Sequence, residues 1–459
     1  MVPMVARHLI CPLHELLLGR QTFRYLRKLE WAQWCSPEEL RHLQRIKLRD
    51  LLRHARERIP FYRTRFRKAG VDPDAGDPLK LLSSLPLLSK TDIRANLDDM
   101  LWHDVPGGLF EFNTGGSTGE PLTFYFDRRR QGYDQAARIR THRWFGVDVG
   151  DRELYLWGSP IEWKRSDGVK RFRDRLFNHR LLSAFNMSPE RMDRYLDELR
   201  DFKPACLFGY PSSIALLVEH ARSRGRQADS RHLRAVFVTG EVCYPHHRQI
   251  IEEFFQVPVA DCYGSREGGF IAHQCREGNF HITSENLIVE IVEDGQPVEP
   301  GLAGEIVITH LDSRAMPFIR YRTGDVGRLK PGRCRCGRGL GLMDMVKGRT
   351  TDFLTLPDGT IKHALSIIYP LREQPGVRRF RVTQARDLAV TVSVVRNELK
   401  QRVTTEQIER CLRKVVGDRI ALNIEFPRDI AASDSGKYRH VISHARPTTT
   451  DPVAEVACE

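Results

Sequence analysis

The chain predicts an α/β fold: a large domain over 36–348 with mainly parallel α/β sheets and a β subdomain, followed by a small mobile α+β domain over 349–445. Three observations carry this. Short apolar strands alternate with amphipathic helices from about Phe110 to Phe270, the pattern turns β-rich from Asn286 to Leu329, and a unit of mixed character begins after Gly348-Arg349. At 459 residues, 41% hydrophobic and 29% charged, the composition suits a globular chain of two or three domains and argues against a disordered or fibrous class.

Residues 1–35 read as an N-terminal extension. Its apolar run from Leu9 to Leu18 is interrupted by His14 and Glu15, lacks a small-residue cleavage site and is too short to span a bilayer, so a cytoplasmic protein without a transmembrane segment is expected. Arg20, Arg24, Arg27 and Lys28 follow, which fits a helix packed on the main body and leaves open a weak contact with an anionic membrane. Ser36-Pro37-Glu38-Glu39 is a capping box with proline at the first helical position, and it launches a periodic run through Leu43, Ile46, Leu48, Leu51 and Leu52. Strands are expected at Leu154 to Trp157, Ala205 to Phe208, Ala235 to Thr239 and Val257 to Cys262, with helices over Arg191 to Arg200, Ile214 to Arg224 and His246 to Phe255. Alternation of this kind makes a parallel sheet, in which ligands gather at the carboxyl ends of strands; Gly240-Glu241 and Tyr263-Gly264 fall at such ends. The β-rich part has strands at Leu287 to Val292 and Glu305 to Thr309 with a turn at Asp294-Gly295. The last unit has a Pro357-Asp358-Gly359 turn, strands near Phe380 to Thr383 and Leu388 to Val395, a capped helix from Thr404 with Gln407, and a strand from Ile420 to Phe426. The tail over 446–459 is polar and reads as disordered.

Chemistry enters with Thr114-Gly115-Gly116-Ser117-Thr118-Gly119-Glu120-Pro121. Glycines let successive backbone N–H groups turn toward one point, and the hydroxyls can donate to phosphate oxygens or ligate magnesium, as a triphosphate-wrapping loop requires. It lacks the Gly-Lys-[Ser/Thr] ending of the usual P-loop, and on its own it also reads as an ordinary Gly/Ser/Thr surface loop. A formal net charge of +13 suits polyanionic substrates, while the spread of arginine along the whole chain argues against a specific nucleic-acid surface. Ten cysteines without a secretory signal do not read as a disulfide framework. Cys275, His281, Cys334 and Cys336 stand out, because three thiolates and an imidazole make a closed tetrahedral set for structural zinc; the bland alternative is unrelated reduced thiols and a surface histidine.

Three further strings follow the loop in order: Tyr263-Gly264-Ser265-Arg266-Glu267, Tyr321-Arg322-Thr323-Gly324-Asp325 and Ser435-Gly436-Lys437. Together they resemble the adenylate-forming ligases, and within them the phenylacetate-CoA ligase branch with its relatives in capsule and exopolysaccharide biosynthesis. Ile59-Pro60-Phe61-Tyr62 and Leu85-Pro86-Leu87-Leu88-Ser89-Lys90 are similar to the start of such ligases, and Cys334-Arg335-Cys336-Gly337-Arg338 looks like an element of the branch, some of whose members carry zinc there. The resemblance runs from about Ser36 to His444.

It implies an ATP-dependent ligase that forms an acyl-adenylate from a small-molecule carboxylic acid and passes the acyl group to a thiol, with CoA as the expected acceptor. By the same resemblance Thr114 to Gly119 hold the β- and γ-phosphates, Glu267 ligates magnesium, Tyr263 lies against adenine and Asp325 accepts from the ribose hydroxyls. Gly240 and Glu241 border the adenine pocket, Arg349 approaches ribose or phosphate beside the interdomain hinge, and Lys437 stabilises adenylate formation. Other readings stay open: Glu241 as an exposed helix-start residue, Glu267 as a solvated loop carboxylate, Asp325 as a turn residue after Gly324, Lys437 as an exposed lysine. Two positions depart from the family pattern, Glu120 where the phosphate loop carries lysine and Thr351 at the charged hinge position, with Asp352 one place later. The runner-up function keeps adenylation and changes the acceptor to a sugar, amine, carrier protein or cofactor; a further alternative is a non-catalytic zinc-containing binding protein.

Overall fold

The computed structural model describes residues 3–113, 122–158, 173–227, 229–347, 353–396, 403–430 and 440–445. Its strands, in chain order, are β1 (Phe110–Asn113), β2 (Thr123–Phe126), β3 (Glu153–Trp157), β4 (His179–Ser183), β5 (Cys206–Gly209), β6 (Ala235–Thr239), β7 (Val259–Ser265), β8 (Gly269–Gln274), β9 (Phe280–Ile282), β10 (Leu287–Glu293), β11 (Gln296–Pro297), β12 (Gly304–His310), β13 (Tyr321–Lys330), β14 (Leu342–Lys347), β15 (Phe353–Thr355), β16 (Ile361–His363), β17 (Val377–Gln384), β18 (Val390–Arg396), β19 (Leu422–Glu425) and β20 (Val441–Ser443). Twelve of them form one sheet in the order β11-β10-β12-β13-β14-β9-β8-β7-β6-β5-β3-β4. Strands β4, β3, β5, β6 and β7 run parallel, as their alternation with helices Pro189–Phe202, Pro211–Ser223 and Pro245–Phe255 requires, and from β7 onward every pairing is antiparallel. The fold is therefore mixed α/β. The β-rich stretch expected as a subdomain is hydrogen-bonded into the same sheet through β8, β9 and β14. Strand β4, His-Arg-Leu-Leu-Ser, was not legible from the sequence because an edge strand with one solvated face carries little apolar signal.

The sheet is not flat. From β7 to β13 there are four inter-strand steps of about 4.8 Å, or roughly 19 Å in a planar sheet, yet the Tyr263 hydroxyl of β7 lies 3.1 Å from the Asp325 carboxylate of β13. The antiparallel strands must curl back over the end of β7. Between β7 and β13, β9 meets β14 through two Cα pairs, His281 with Leu342 and Phe280 with Met343. Ile271, Ile282, Ile306, Ile308, Phe318 and Met343 fill the concave side.

Ser36 caps the helix Pro37–Arg58 as expected, its Oγ accepting from Glu39 N while the Glu39 carboxylate accepts from Ser36 N. The helix lays Leu48, Leu51, Leu52 and Ala55 on that core. Residues 22–32, expected to belong to an extension, form a helix against the helix Arg128–Arg143, with Tyr25 stacked on Tyr133 at 3.9 Å. From Phe353 onward a second unit begins with the β15–β16 hairpin; a four-stranded sheet ordered β19-β18-β17-β20 carries the helix Thr405–Val416, whose Thr404/Gln407 capping box is present. No helix among the described residues is long and apolar enough to cross a membrane.

The joint between helical layer and sheet is electrostatic. Asp312, just past β12 and fully buried, accepts from Lys47 of the helix Pro37–Arg58 and from Arg129 Nε and Nη2 at 3.0 and 2.8 Å. Burial alone would raise this carboxyl, but the two cations hold it below the usual range. Its contribution to stability is therefore present above the ordinary carboxylate pKa and is lost as pH falls through the lower folded value. Replacement by alanine strands Lys47 and Arg129 beside each other; the urea midpoint should fall, with about 3–5 kcal/mol lost.

Candidate active site

The carboxyl ends of the parallel strands converge on one region. Trp157 ends β3 and stacks on Tyr210, just past β5, at 4.1 Å and 16°; Tyr210 also donates to the Gly158 carbonyl at 2.9 Å. Gly240, after β6, adopts φ +84, and a Cβ there would sit 3.1 Å from the Tyr210 ring, so the close approach selects glycine. Glu241 beside it accepts from the Ser212 hydroxyl. Tyr263 lies on β7, whose Cys262 pairs with Thr239 of β6.

At the end of β7 the chain reverses at once into β8. Ser265 Oγ accepts from Gly268 N at 2.8 Å, closing the turn, and a bulge falls between Tyr263 and Gly264. A Cβ on Gly264 would stand 2.6 Å from the Gly269 carbonyl oxygen. The turn aims the Glu267 carboxylate inward, where it is buried and accepts from the Tyr321 hydroxyl at 2.9 Å, with Lys90 Nζ at 3.9 Å. Arg130 donates to the backbone carbonyls of Arg266 and Glu267. Asp325, on β13 rather than in a turn, is buried and accepts from the Tyr263 hydroxyl, while Gly324 beside it takes φ +76.

Thr114, Gly115, Gly116, Ser117, Thr118, Gly119 and Glu120 lie outside the described residues, as do Arg349, Thr351, Asp352 and Lys437. The stem of the first string is described: β1 and β2 pair antiparallel, Asn113 opposite Thr123, and Arg266 Nη1 donates to the Asn113 carbonyl at 2.7 Å. The described stem is thus held at Arg266, next to Glu267 in the chain. Sequence reasoning missed Lys90, Tyr321, Arg130 and Arg266 as parts of this site. Lys90 arrives through tertiary structure: Leu88 bridges Tyr321, donating to the Arg320 carbonyl at 2.8 Å and accepting from Arg322 N at 3.0 Å. The buried Arg320 side chain fixes that strap by donating to the Ser83 and Leu85 carbonyls and to Glu290. The apolar-proline string Leu85 to Lys90 was the available signal, without any hint of its partner.

Cys275, His281, Cys334 and Cys336 come together beside the β9–β14 pairing. Their donor atoms lie within 4.8 Å of one another, Cys275 and Cys334 Sγ at 3.6 Å and Cys336 Sγ to His281 Nε2 at 3.3 Å. Tetrahedral zinc with its usual Zn–S and Zn–N lengths sets donor–donor edges of about 3.5–3.8 Å, so the set fits the ion. Burial pushes the Cys275 thiol up to about 12 and the His281 imidazole down to about 4.

The AMP-binding enzyme family model matches residues 181–311, the stretch that supplies most of these strand ends. A phenylacetate-coenzyme A ligase of Escherichia coli (strain K12) is 30% identical over 339 residues, 72% of this chain and 75% of the relative. The chain belongs to this family. The enzyme is an adenylate-forming ligase of the acid–thiol type, in the phenylacetate-CoA ligase branch. A phenylacetate-coenzyme A ligase of Thermus thermophilus is 27% identical over 448 residues, 88% of this chain and 96% of the relative, and protein CapK of Staphylococcus aureus is 23% identical over 441 residues, 93% and 94%. A solved structure of 2-hydroxyisobutyryl-CoA ligase, in complex with 2-HIB-AMP and CoA, shares the fold with a TM-score of 0.63 at 22% identity, covering 90% of this chain and 91% of that one.

Gly264 is a tight point of the enzyme's site. Gly264→Ala should destabilise by about 1–3 kcal/mol through overpacking against backbone, read as a lower thermal midpoint, whereas Gly278→Ala, with nothing within 4 Å of its added Cβ but φ +73, should lose only the smaller backbone term.

Proposed function

We propose that the enzyme activates a carboxylic acid with ATP and transfers the acyl group to CoA. The observation that carries this reading is the meeting of Tyr263, Glu267, Asp325 and the stem of the glycine-rich loop at the carboxyl ends of the parallel strands. In the first half-reaction a carboxylate oxygen of the acid attacks the α-phosphorus and expels pyrophosphate, leaving an acyl-adenylate. In the second, the thiol sulfur attacks the acyl carbon and AMP departs with the electron pair, the thiol giving up its proton.

Asp325 offers two acceptor oxygens to the vicinal hydroxyls of ribose, and its bond from Tyr263 orients both it and the ring that would lie against adenine. Glu267 would hold magnesium, which supplies charge neutralisation at the phosphates; Tyr321 fixes that carboxylate and Lys90 adds positive charge toward the triphosphate side. Thr114 to Gly119 would cradle the β- and γ-phosphates, with Gly240 and Glu241 at the border of the adenine pocket. Arg349 and Lys437 would come from the small domain, Lys437 acting when negative charge develops at the α-phosphate. Trp157, Phe208 and Tyr210 make an aromatic wall beside these strand ends, which favours an acid with an apolar or aromatic body. The acid itself is chosen by testing: ATP–pyrophosphate exchange across aromatic, aliphatic and amino acids, followed by CoA thioester assay, should single out one class.

The same assay tests the residue roles. Lys437→Ala should abolish exchange while leaving transfer from a supplied acyl-adenylate to CoA largely intact, because the lysine acts only in the first transition state. Asp325→Ala should weaken ATP binding by about 2–5 kcal/mol, the worth of two charge-assisted hydrogen bonds. Equal loss of both half-reactions in Lys437→Ala, or parental ATP affinity in Asp325→Ala, would count against these assignments.

Cys275, His281, Cys334 and Cys336 would hold zinc in a structural role, since four protein donors leave no open coordination position. They join the β8–β9 turn to the β13–β14 loop, so the ion would brace the bend that brings Asp325 to Tyr263. Elemental analysis should find about one zinc per chain, and Cys334→Ser or Cys336→Ser should lower both zinc content and the thermal midpoint, because binding energy at a closed site is folding energy.

A further inference from the structure

The first helical segment, residues 3–17, is docked the wrong way round for an ordinary surface helix. Its small and polar residues face the protein: Ala6, Cys11 and Glu15 are buried, Arg7 donates to the Val149 carbonyl at 3.0 Å and reaches Asp148 and Asp151, and His14 meets the Phe177 ring edge-on at 4.8 Å. Its apolar residues face outward. Met4, Leu9, Leu13, Leu16 and Leu17 are all more than half exposed, the last two at 74% and 77%. Globular proteins do the reverse, and a contiguous exposed stripe of this kind marks a surface that meets something other than water.

The next helix, Thr22–Ala32, adds the charge. Its inner face, with Tyr25, Leu26 and Leu29, packs on the helix Arg128–Arg143. Its outer face carries Arg24, Arg27, Lys28 and Trp31 at helical spacing, and Trp34 follows at 56% exposure. The acidic residues of this region, Glu15 and Glu30, are already engaged, Glu15 by Arg20 and Thr22 and Glu30 by Arg143. The outward charge is therefore all positive. Leucines at the acyl boundary, tryptophans at headgroup level and arginine or lysine beside phosphate are what an anionic lipid surface selects. A second copy of the chain would bring like charges together, which argues against self-association as the occupant.

We propose that residues 3–34 form a monotopic docking surface for an anionic lipid bilayer, with the leucine stripe entering the interface and Arg24, Arg27 and Lys28 meeting headgroup phosphates. The surface lies outside the nucleotide site, so attachment to a membrane is separable from adenylation.

The test is co-sedimentation of the full chain with vesicles of phosphatidylcholine alone or mixed with phosphatidylglycerol, across a salt series. The unmodified protein should partition to the anionic vesicles at least about tenfold more strongly than to the neutral ones, and less at high salt. L16E/L17E and R27E/K28E should each lower that partitioning about tenfold or more while ATP–pyrophosphate exchange is unchanged. Should L16E/L17E lower the thermal midpoint, L16S/L17S serves in its place. No partitioning of the unmodified protein at low salt overturns the proposal, and so does equal binding by the charge-reversed variant. Light scattering that finds a dimer, dissolved by L16E/L17E, in a protein that ignores vesicles would assign the stripe to a second copy instead.

Discussion

Strand β7 is the constraint on which the rest depends. It is the last parallel strand and the first antiparallel partner, and the switch happens within the few residues from Tyr263 to Gly269. Only a residue without a side chain can sit where Gly264 faces the Gly269 carbonyl. Because the reversal is that tight, the antiparallel half continues the same hydrogen-bonded sheet instead of forming a separate layer. Everything the site needs then follows from how that half curls: a flat continuation would leave Asp325 about 19 Å from Tyr263, and the curl makes them hydrogen-bonded neighbours.

The curled half includes a narrow link. Between β9 and β14 the ladder holds only two Cα pairs. The Cys/His cluster lies at this narrow link, with His281 on β9 itself and Cys334 and Cys336 in the loop that leads to β14. Nearby, Gly339 N donates to the Gln33 carbonyl and Arg338 stacks over Trp144, tying the same loop to the helical layer. The Cys/His cluster and the Tyr263–Asp325 contact are thus parts of one mechanical arrangement, while buried charge around Asp312 ties the helices Pro37–Arg58 and Arg128–Arg143 to the chain just past β12.

Much of this was legible from local pattern. The Ser36 and Thr404 capping boxes, the parallel strands and their helices, and the small α+β unit each rest on interactions within a few residues, which a sequence displays directly. The strings Tyr263 to Glu267 and Tyr321 to Asp325 likewise pointed to one place, and the structure brings Tyr263 to Asp325 and Tyr321 to Glu267. Other features had no local signature. Strand β4 is a polar edge, Asp325 follows a glycine that looks like a turn but is a left-handed residue within a strand, and Lys90 reaches Glu267 only because Arg320 staples a distant strap beside β13.

The sequence by itself determined the fold class and most of the elements, because periodicity, capping and turn chemistry are short-range. Tertiary structure alone decided that the β-rich stretch joins the parallel sheet, that Tyr263 and Asp325 bond across its curl, and that Tyr321, Lys90 and Arg130 complete the surroundings of Glu267. It also decided which face of residues 3–17 is turned outward. Amphipathic spacing fixes that a helix has two faces, but only the packing partners, here Val149, Asp151 and Phe177, select the polar one for burial and leave the leucines to the outside.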